Sequence, residues 1–143
     1  DLAFQFLDPV EPDSDLRILK SIYQALNSGG KVVLELDCHQ RLIDNMKNGA
    51  VKTWQEFAEP DPWQYLLWDC GLKDKHLTLK KTFIERDLSE TSKSKVVFKN
   101  YQRSDILHLL FLSGFDNIQI FENWNKDGDL LKDEFIVIGE KNA

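Results

Sequence analysis

An α/β fold is what this 143-residue chain predicts, and three observations carry the prediction. An amphipathic segment places Leu16, Leu19, Ile22, Tyr23 and Leu26 at helical spacing. Gly29-Gly30 follows, and glycine takes without steric cost the positive-φ conformation on which helices commonly end. Then comes Lys31-Val32-Val33-Leu34-Glu35-Leu36, a β-branched and aliphatic run that reads as a buried strand. Helix, glycine stop, reversal and buried strand make one half of a crossover unit in a parallel sheet.

The elements on either side follow in order. Leu2-Ala3-Phe4-Gln5-Phe6-Leu7 reads as a buried strand that Asp8-Pro9 stops. Glu11-Pro12-Asp13-Ser14 is a loop, and Asp13 or Ser14 is expected to cap the helix after it. Beyond Leu36 the pattern weakens. Leu42, Ile43 and Met46 suggest a short helix. Trp54, Phe57, Trp63, Tyr65, Leu66, Leu67 and Trp68 form an aromatic-rich stretch broken by Pro60 and Pro62. The alternation from His76 to Ile84 and the run from Lys95 to Tyr101 flank a polar linker from Asp87 to Ser94. That arrangement predicts an antiparallel hairpin. Ser104 is expected to cap a helix running to Leu112, closed by Ser113-Gly114-Phe115. Ile118 to Phe121 and Phe135 to Ile138 read as the last two strands, joined by the turn-rich stretch from Asn123 to Asp129.

The composition sets limits on partners. A net charge of -6 argues against a nucleic-acid partner, which calls for a basic stripe. Lys73, Lys75, Lys80, Lys81, Lys93, Lys95 and Lys99 do gather, but beside Glu85, Asp87 and Glu90, as on a solvated strand face. Cys38 and Cys70 have no metal-ligand spacing and read as reduced thiols of a cytoplasmic protein. No apolar run reaches the ~18 residues of a membrane span, so no membrane partner is expected. The chain opens on Asp1, which is not a natural translation start, and shows no signal-peptide pattern.

Three stretches, in this order, resemble the C-terminal half of a class I S-adenosylmethionine-dependent methyltransferase. The helix running into Leu26-Asn27-Ser28-Gly29-Gly30-Lys31-Val32-Val33-Leu34 is similar to that family's "L-K-P-G-G-x-L-V-L" passage, with Asn27-Ser28 in place of Lys-Pro. Tyr101-Gln102-Arg103-Ser104-Asp105-Ile106-Leu107, continuing to Leu112-Ser113-Gly114-Phe115, is similar to its "Y-[ST]-x-x-E-L…L-x-x-A-G-F" helix. The closing strand pair ending in Ile138-Gly139-Glu140-Lys141 is the third. The resemblance implies a single domain over residues 1–143, the C-terminal half of a Rossmann-like methyltransferase sheet. Its order would be first strand, second strand, last strand, Ile118 strand, with the last strand antiparallel to its neighbours. Residues 37–100 would form an inserted lid or cap carrying the β-hairpin.

The family holds its cofactor mainly through a glycine-rich loop and an acidic residue in its N-terminal half, and neither occurs here. The chain is therefore expected to be a fragment, the substrate-side part of a methyltransferase acting on a small molecule. S-adenosylmethionine would bind in the parent enzyme, while this chain alone would bind no cofactor and be inactive. Either self-association through the edge at Leu2 to Leu7 or a missing N-terminal half would then cover that edge. The rival reading is a noncatalytic α/β binding or assembly domain.

The candidate site residues follow from that placement. Phe6, Leu7 and Asp8, ending the first strand, would touch the cofactor. Asp8 could orient an acceptor or take its proton, or it is simply the turn residue before Pro9. His39, after Asp37 and Cys38, is the general-base candidate because imidazole titrates near neutrality, the alternative being a loop histidine. Trp54, Trp63, Tyr65 and Trp68 could line a substrate pocket, or they could form the small core of the lid. His76 and His108 read as structural. A metal site, a Ser-His-Asp triad and a phosphate loop have no support in the sequence.

Overall fold

A computed structural model describes residue 4, residues 9–123 and residues 133–142. The elements, in chain order, are α1 (Ser14–Ala25), β1 (Lys31–Cys38), α2 (Gln40–Asp44), β2 (Ala50–Glu56) and β3 (Trp63–Lys73). They continue with β4 (His76–Glu85), β5 (Glu90–Lys99), α3 (Arg103–Leu112), β6 (Asp116–Asn123) and β7 (Asp133–Glu140).

The strands form two separate sheets, β1-β7-β6 and β2-β3-β4-β5. In the first, β7 lies between β1 and β6 and is antiparallel to both, with Leu34 opposite Val137 and Val137 opposite Ile120. That is the expected order for these three strands. The strand expected at Leu2 to Leu7 lies outside the described residues, except for Phe4, which is buried in a turn.

One face of this sheet carries the main core. Val32 and Leu36 of β1 and Phe135 and Val137 of β7 pack against Leu19 of α1, Ile106 and Leu110 of α3, and Phe115. Helix α1 presents that stripe because Leu19, Ile22 and Tyr23 recur at helical spacing. The ring of Phe115 meets Tyr23 edge-on at 5.1 Å and underlies Gly139, where a Cβ would lie 3.1 Å from Phe115 Cβ.

Three local expectations are corrected. Helix α1 stops at Leu26, whose backbone is already extended, so the glycines build the reversal into β1 and not the helix stop. Gly29 has φ +76° and donates its N–H to the carbonyl of Lys141 at 2.7 Å. Neither Asp13 nor Ser14 caps α1 through its side chain; the Ser14 hydroxyl donates instead to the carbonyl of Glu11. Helix α3 is capped by Gln102, not Ser104: Gln102 and Asp105 form a reciprocal capping box.

Between β1 and α3 the chain builds the second sheet. The expected hairpin is present as β4 and β5, with Leu79 opposite Val96. The aromatic-rich stretch extends it by two more strands, giving a four-stranded antiparallel meander. Its core is Cys70, Leu77, Leu79 and Phe98, covered at one end by Leu42 from α2.

The two sheets are joined where β1 leaves and β5 returns. Lys75 in the β3–β4 turn reaches across to α3, its ammonium donating to Asp105 at 2.6 Å. Partial burial raises the Asp105 carboxyl, but the hydrogen bonds from Lys75 and the Gln102 N–H outweigh it and hold the group below the usual 3.8. A carboxyl lowered on folding stabilises the fold above its unfolded value and loses that contribution as pH falls through the folded one. Lys75→Ala should therefore cost under about 1 kcal/mol at pH 7, Lys75 being largely exposed. The cost should shrink as pH falls below 3.8, which urea titrations at pH 7 and pH 2.5 compare.

Candidate functional site

In an open α/β sheet, ligands sit outside the carboxyl ends of the parallel strands. Every pairing described in the β1-β7-β6 sheet is antiparallel, and the carboxyl end of β1, at Cys38, is where the second sheet begins. His39 is placed there, but it is buried, at 3 % exposure. Its backbone N–H donates to Asn100 Oδ1 at 3.4 Å, and its ring lies 5.1 Å from that of Phe98. So His39 and Asn100 tie together the two chain crossings between the sheets. Asp37 is exposed on β1 beside them. Asp8, Phe6 and Leu7 lie outside the described residues.

A second buried pair stands nearby. Asp15, in the first turn of α1 and fully buried, accepts a hydrogen bond from the Tyr101 hydroxyl at 2.5 Å. Tyr101 stands two residues before the start of α3, so this bond pins the two helix starts to each other. Phe4 packs on the Tyr101 ring at 5.9 Å, and the Lys99 ammonium lies 5.6 Å from that ring on the other strand's exit. Sequence reading missed Asp15 as a site residue. Its signal is weak: an acidic residue in a first helical turn is usually a solvated dipole partner.

The four aromatics divide between the two faces of the second sheet. Trp68 belongs to the face that α2 covers, beside Leu66 and Cys70, with the Lys81 ammonium 4.5 Å from its ring centre. Trp63 joins that face through a β-bulge, its ring 5.1 Å from Phe83. Trp54 and Tyr65 occupy the opposite face, edge to face at 5.8 Å. The structure thus places Trp63 and Trp68 on one face and brings Trp54 against Tyr65 on the other, and does not gather all four into one pocket. On the second face a groove of about 380 Å³ is lined by Trp54, Leu67, Lys52, Asp69, Lys80 and Thr82 among others.

Cys70 is chemically quiet. Burial, then the neighbouring Asp69 carboxylate, push its thiol up to about 11, so it stays protonated at neutral pH. Among the described residues no cluster of His, Cys, Asp or Glu could hold a metal ion.

The geometry also decides what the glycines can hold. Gly29 and Gly30 precede β1, at the end of the sheet opposite the second sheet, and a Cβ on Gly30 would lie 2.8 Å from the Asn27 carbonyl. They serve the turn into β1.

No protein-family model matches the chain, and no curated protein does. Solved structures do. An S-adenosylmethionine-dependent methyltransferase from Clostridium acetobutylicum aligns over 99 % of this chain with a TM-score of 0.67 and 14 % identity. The CcbJ methyltransferase of Streptomyces caelestis aligns over 99 % with a TM-score of 0.74 and 10 % identity. CalS10, an amino pentose methyltransferase of Micromonospora echinaspora solved with S-adenosylmethionine bound, aligns over 97 % with a TM-score of 0.64 and 10 % identity. The fold is a methyltransferase fold. This chain spans 54–56 % of the length of those methyltransferase structures. Among the described residues, no helix is long and apolar enough to cross a membrane.

Proposed function

We propose that this chain is the C-terminal, substrate-side part of an S-adenosylmethionine-dependent methyltransferase acting on a small molecule. One observation carries the reading: among the described residues, the β1-β7-β6 sheet is covered on one face only. On the other face Val33 is 62 % exposed and Phe121 54 %, with Ile136 and Ile138 beside them in register. Sheets of the doubly wound class bury both faces under helices. The free edge of β1 is open in the same way among the described residues, and a cavity of about 380 Å³ runs along it beside Ile18 and Ile22 of α1. An N-terminal half is the partner that fits this face and edge, and the chain's span of roughly half its structural neighbours supports that.

In this reading the N-terminal half supplies most of the cofactor site. No glycine-rich loop follows a strand, and Gly29-Gly30 stand at the wrong end of the sheet. This chain's part in the reaction is then to hold the methyl acceptor. The second sheet would act as the cap, with Trp63 and Trp68 supplying rigid contact area to the acceptor. The Asp15–Tyr101 and His39–Asn100 bonds would fix the cap's angle to the main sheet, the positioning on which such transfer chiefly depends.

The test is methyl transfer by the longer protein to a panel of small amines and alcohols. Trp63→Ala and Trp68→Ala should each lower kcat/KM about tenfold, the equivalent of one lost aromatic contact. Phe111→Ala, exposed on α3, should leave kcat/KM unchanged. Failure of every acceptor, with a stable assembly of the longer protein, would favour the noncatalytic reading.

A further inference from the structure

We propose that Lys81, on the face of the second sheet that carries Trp63 and Trp68, binds a carboxylate, and that the methyl acceptor is therefore a small molecule bearing one. The inference rests on the reading of that face as the acceptor side.

The strand register isolates Lys81. Cross-strand rows follow one another along this face. Leu72, Leu77 and Phe98 form the first, and Val51, Cys70, Leu79 and Val96 the second. Thr53, Trp68, Lys81 and Ser94 form the third, and Gln55, Leu66, Phe83 and Ser92 the fourth. Lys81 is the one charged side chain in these four rows. Asp69 and Lys80 sit beside Trp68 and Lys81 in sequence, but successive strand residues point to opposite faces. Glu85, opposite Trp63, is four residues further along β4, about 13 Å at the strand rise.

Lys81 is half-buried there without a counter-ion. Its ammonium lies 4.5 Å from the ring centre of Trp68, and no carboxylate of the described residues pairs with it. The attraction to the indole face is electrostatic and spends none of the three N–H donors. The ring thus positions the cation while its donors stay available to an acceptor oxygen. Ser94 adds a hydroxyl beside it in the same row, and Trp63 and Phe83, 5.1 Å apart, extend the aromatic wall. One ammonium balances one negative charge. A phosphate dianion would leave a net charge in a half-buried, aromatic-walled site, which is costly, and the chain's net charge of -6 opposes it further.

The experiment measures binding to the longer protein with two matched pairs, benzoate against benzamide and indole-3-acetate against indole-3-acetamide. Methyl transfer to amines offered with and without a carboxylate runs beside it. Each carboxylate should bind about tenfold more tightly than its amide, as a charge-assisted hydrogen bond supplies. Lys81→Gln should erase that difference and leave amide binding unchanged, and Lys81→Arg should keep much of it. Lys80→Gln, the same charge change on the opposite face, should keep all of it. In methyl transfer, Lys81→Gln should raise KM for carboxylate-bearing acceptors about tenfold with kcat unchanged. Equal binding of acid and amide, binding of neither, or a preference that survives Lys81→Gln overturns the proposal. So does a Lys81→Gln variant changed only in thermal midpoint, the result for a lysine that merely packs on Trp68. Phenyl phosphate bound more tightly than benzoate overturns the choice of a carboxylate. Methyl transfer with no preference for carboxylate-bearing acceptors sinks the proposal and leaves the methyltransferase reading standing. A Lys81-dependent carboxylate preference with no methyl transfer to any acceptor does the reverse.

Discussion

Phe115→Ala should destabilise the chain by about 3–5 kcal/mol, the range for emptying a buried aromatic site. Phe115 is 1 % exposed and stands where α3 turns into β6. It touches Tyr23 of α1 edge-on, it belongs to the core with Leu110 and Val137, and it fills the space over Gly139 of β7. Truncation would remove contacts to two helices and the central strand at once, and the sheet could collapse only partly around the gap. For a chain of this length the midpoint of thermal unfolding should drop by roughly 10–20 °C. The matched control is Phe111→Ala, one turn earlier and 69 % exposed, which should move stability by no more than about 0.5 kcal/mol. Calorimetry of the two variants separates the outcomes: similar losses would mean that the core is not where the packing places it.

That contrast shows what a sequence can and cannot convey. Leu109-Leu110-Phe111-Leu112 is one apolar run, yet only Leu110 is buried in it, because the helix has a single sheet beneath it. The β1 strand and the β7 strand were legible for a simpler reason: Val32-Val33-Leu34 and Phe135-Ile136-Val137-Ile138 are short β-branched and apolar runs, and they supply buried Val32, Phe135 and Val137. The strand order came from the resemblance, not from the periodicity. β2 and β3 were not legible as strands. In Trp63-Gln64-Tyr65-Leu66-Leu67-Trp68 both faces carry apolar side chains, Leu66 and Trp68 on one and Tyr65 and Leu67 on the other, so alternation disappears.

The candidate site was legible only as a list of residue types. That Trp54 and Trp68 lie on opposite faces depends on the pairing of Trp54 with Leu67, a register no local pattern fixes. The burial of His39 depends on Phe98 and Asn100, some sixty positions along the chain. The Asp15–Tyr101 bond spans 86 positions and joins two helix starts that sequence reading treated separately. The capping correction at α3 has a local cause: Gln102 with Asp105 satisfies the first turn of α3 reciprocally, and Ser104 is then inside the helix.

The central claim is that this chain forms the acceptor side of a methyltransferase whose cofactor is held elsewhere. Isothermal titration with S-adenosylmethionine, run on the 143-residue chain beside the longer protein, tests it most directly. The longer protein should bind with micromolar affinity and the chain alone should give no binding heat at the same concentrations. Equal micromolar binding by the chain alone would contradict the account by placing the cofactor site within these residues, and absence of binding by both would contradict the methyltransferase reading itself.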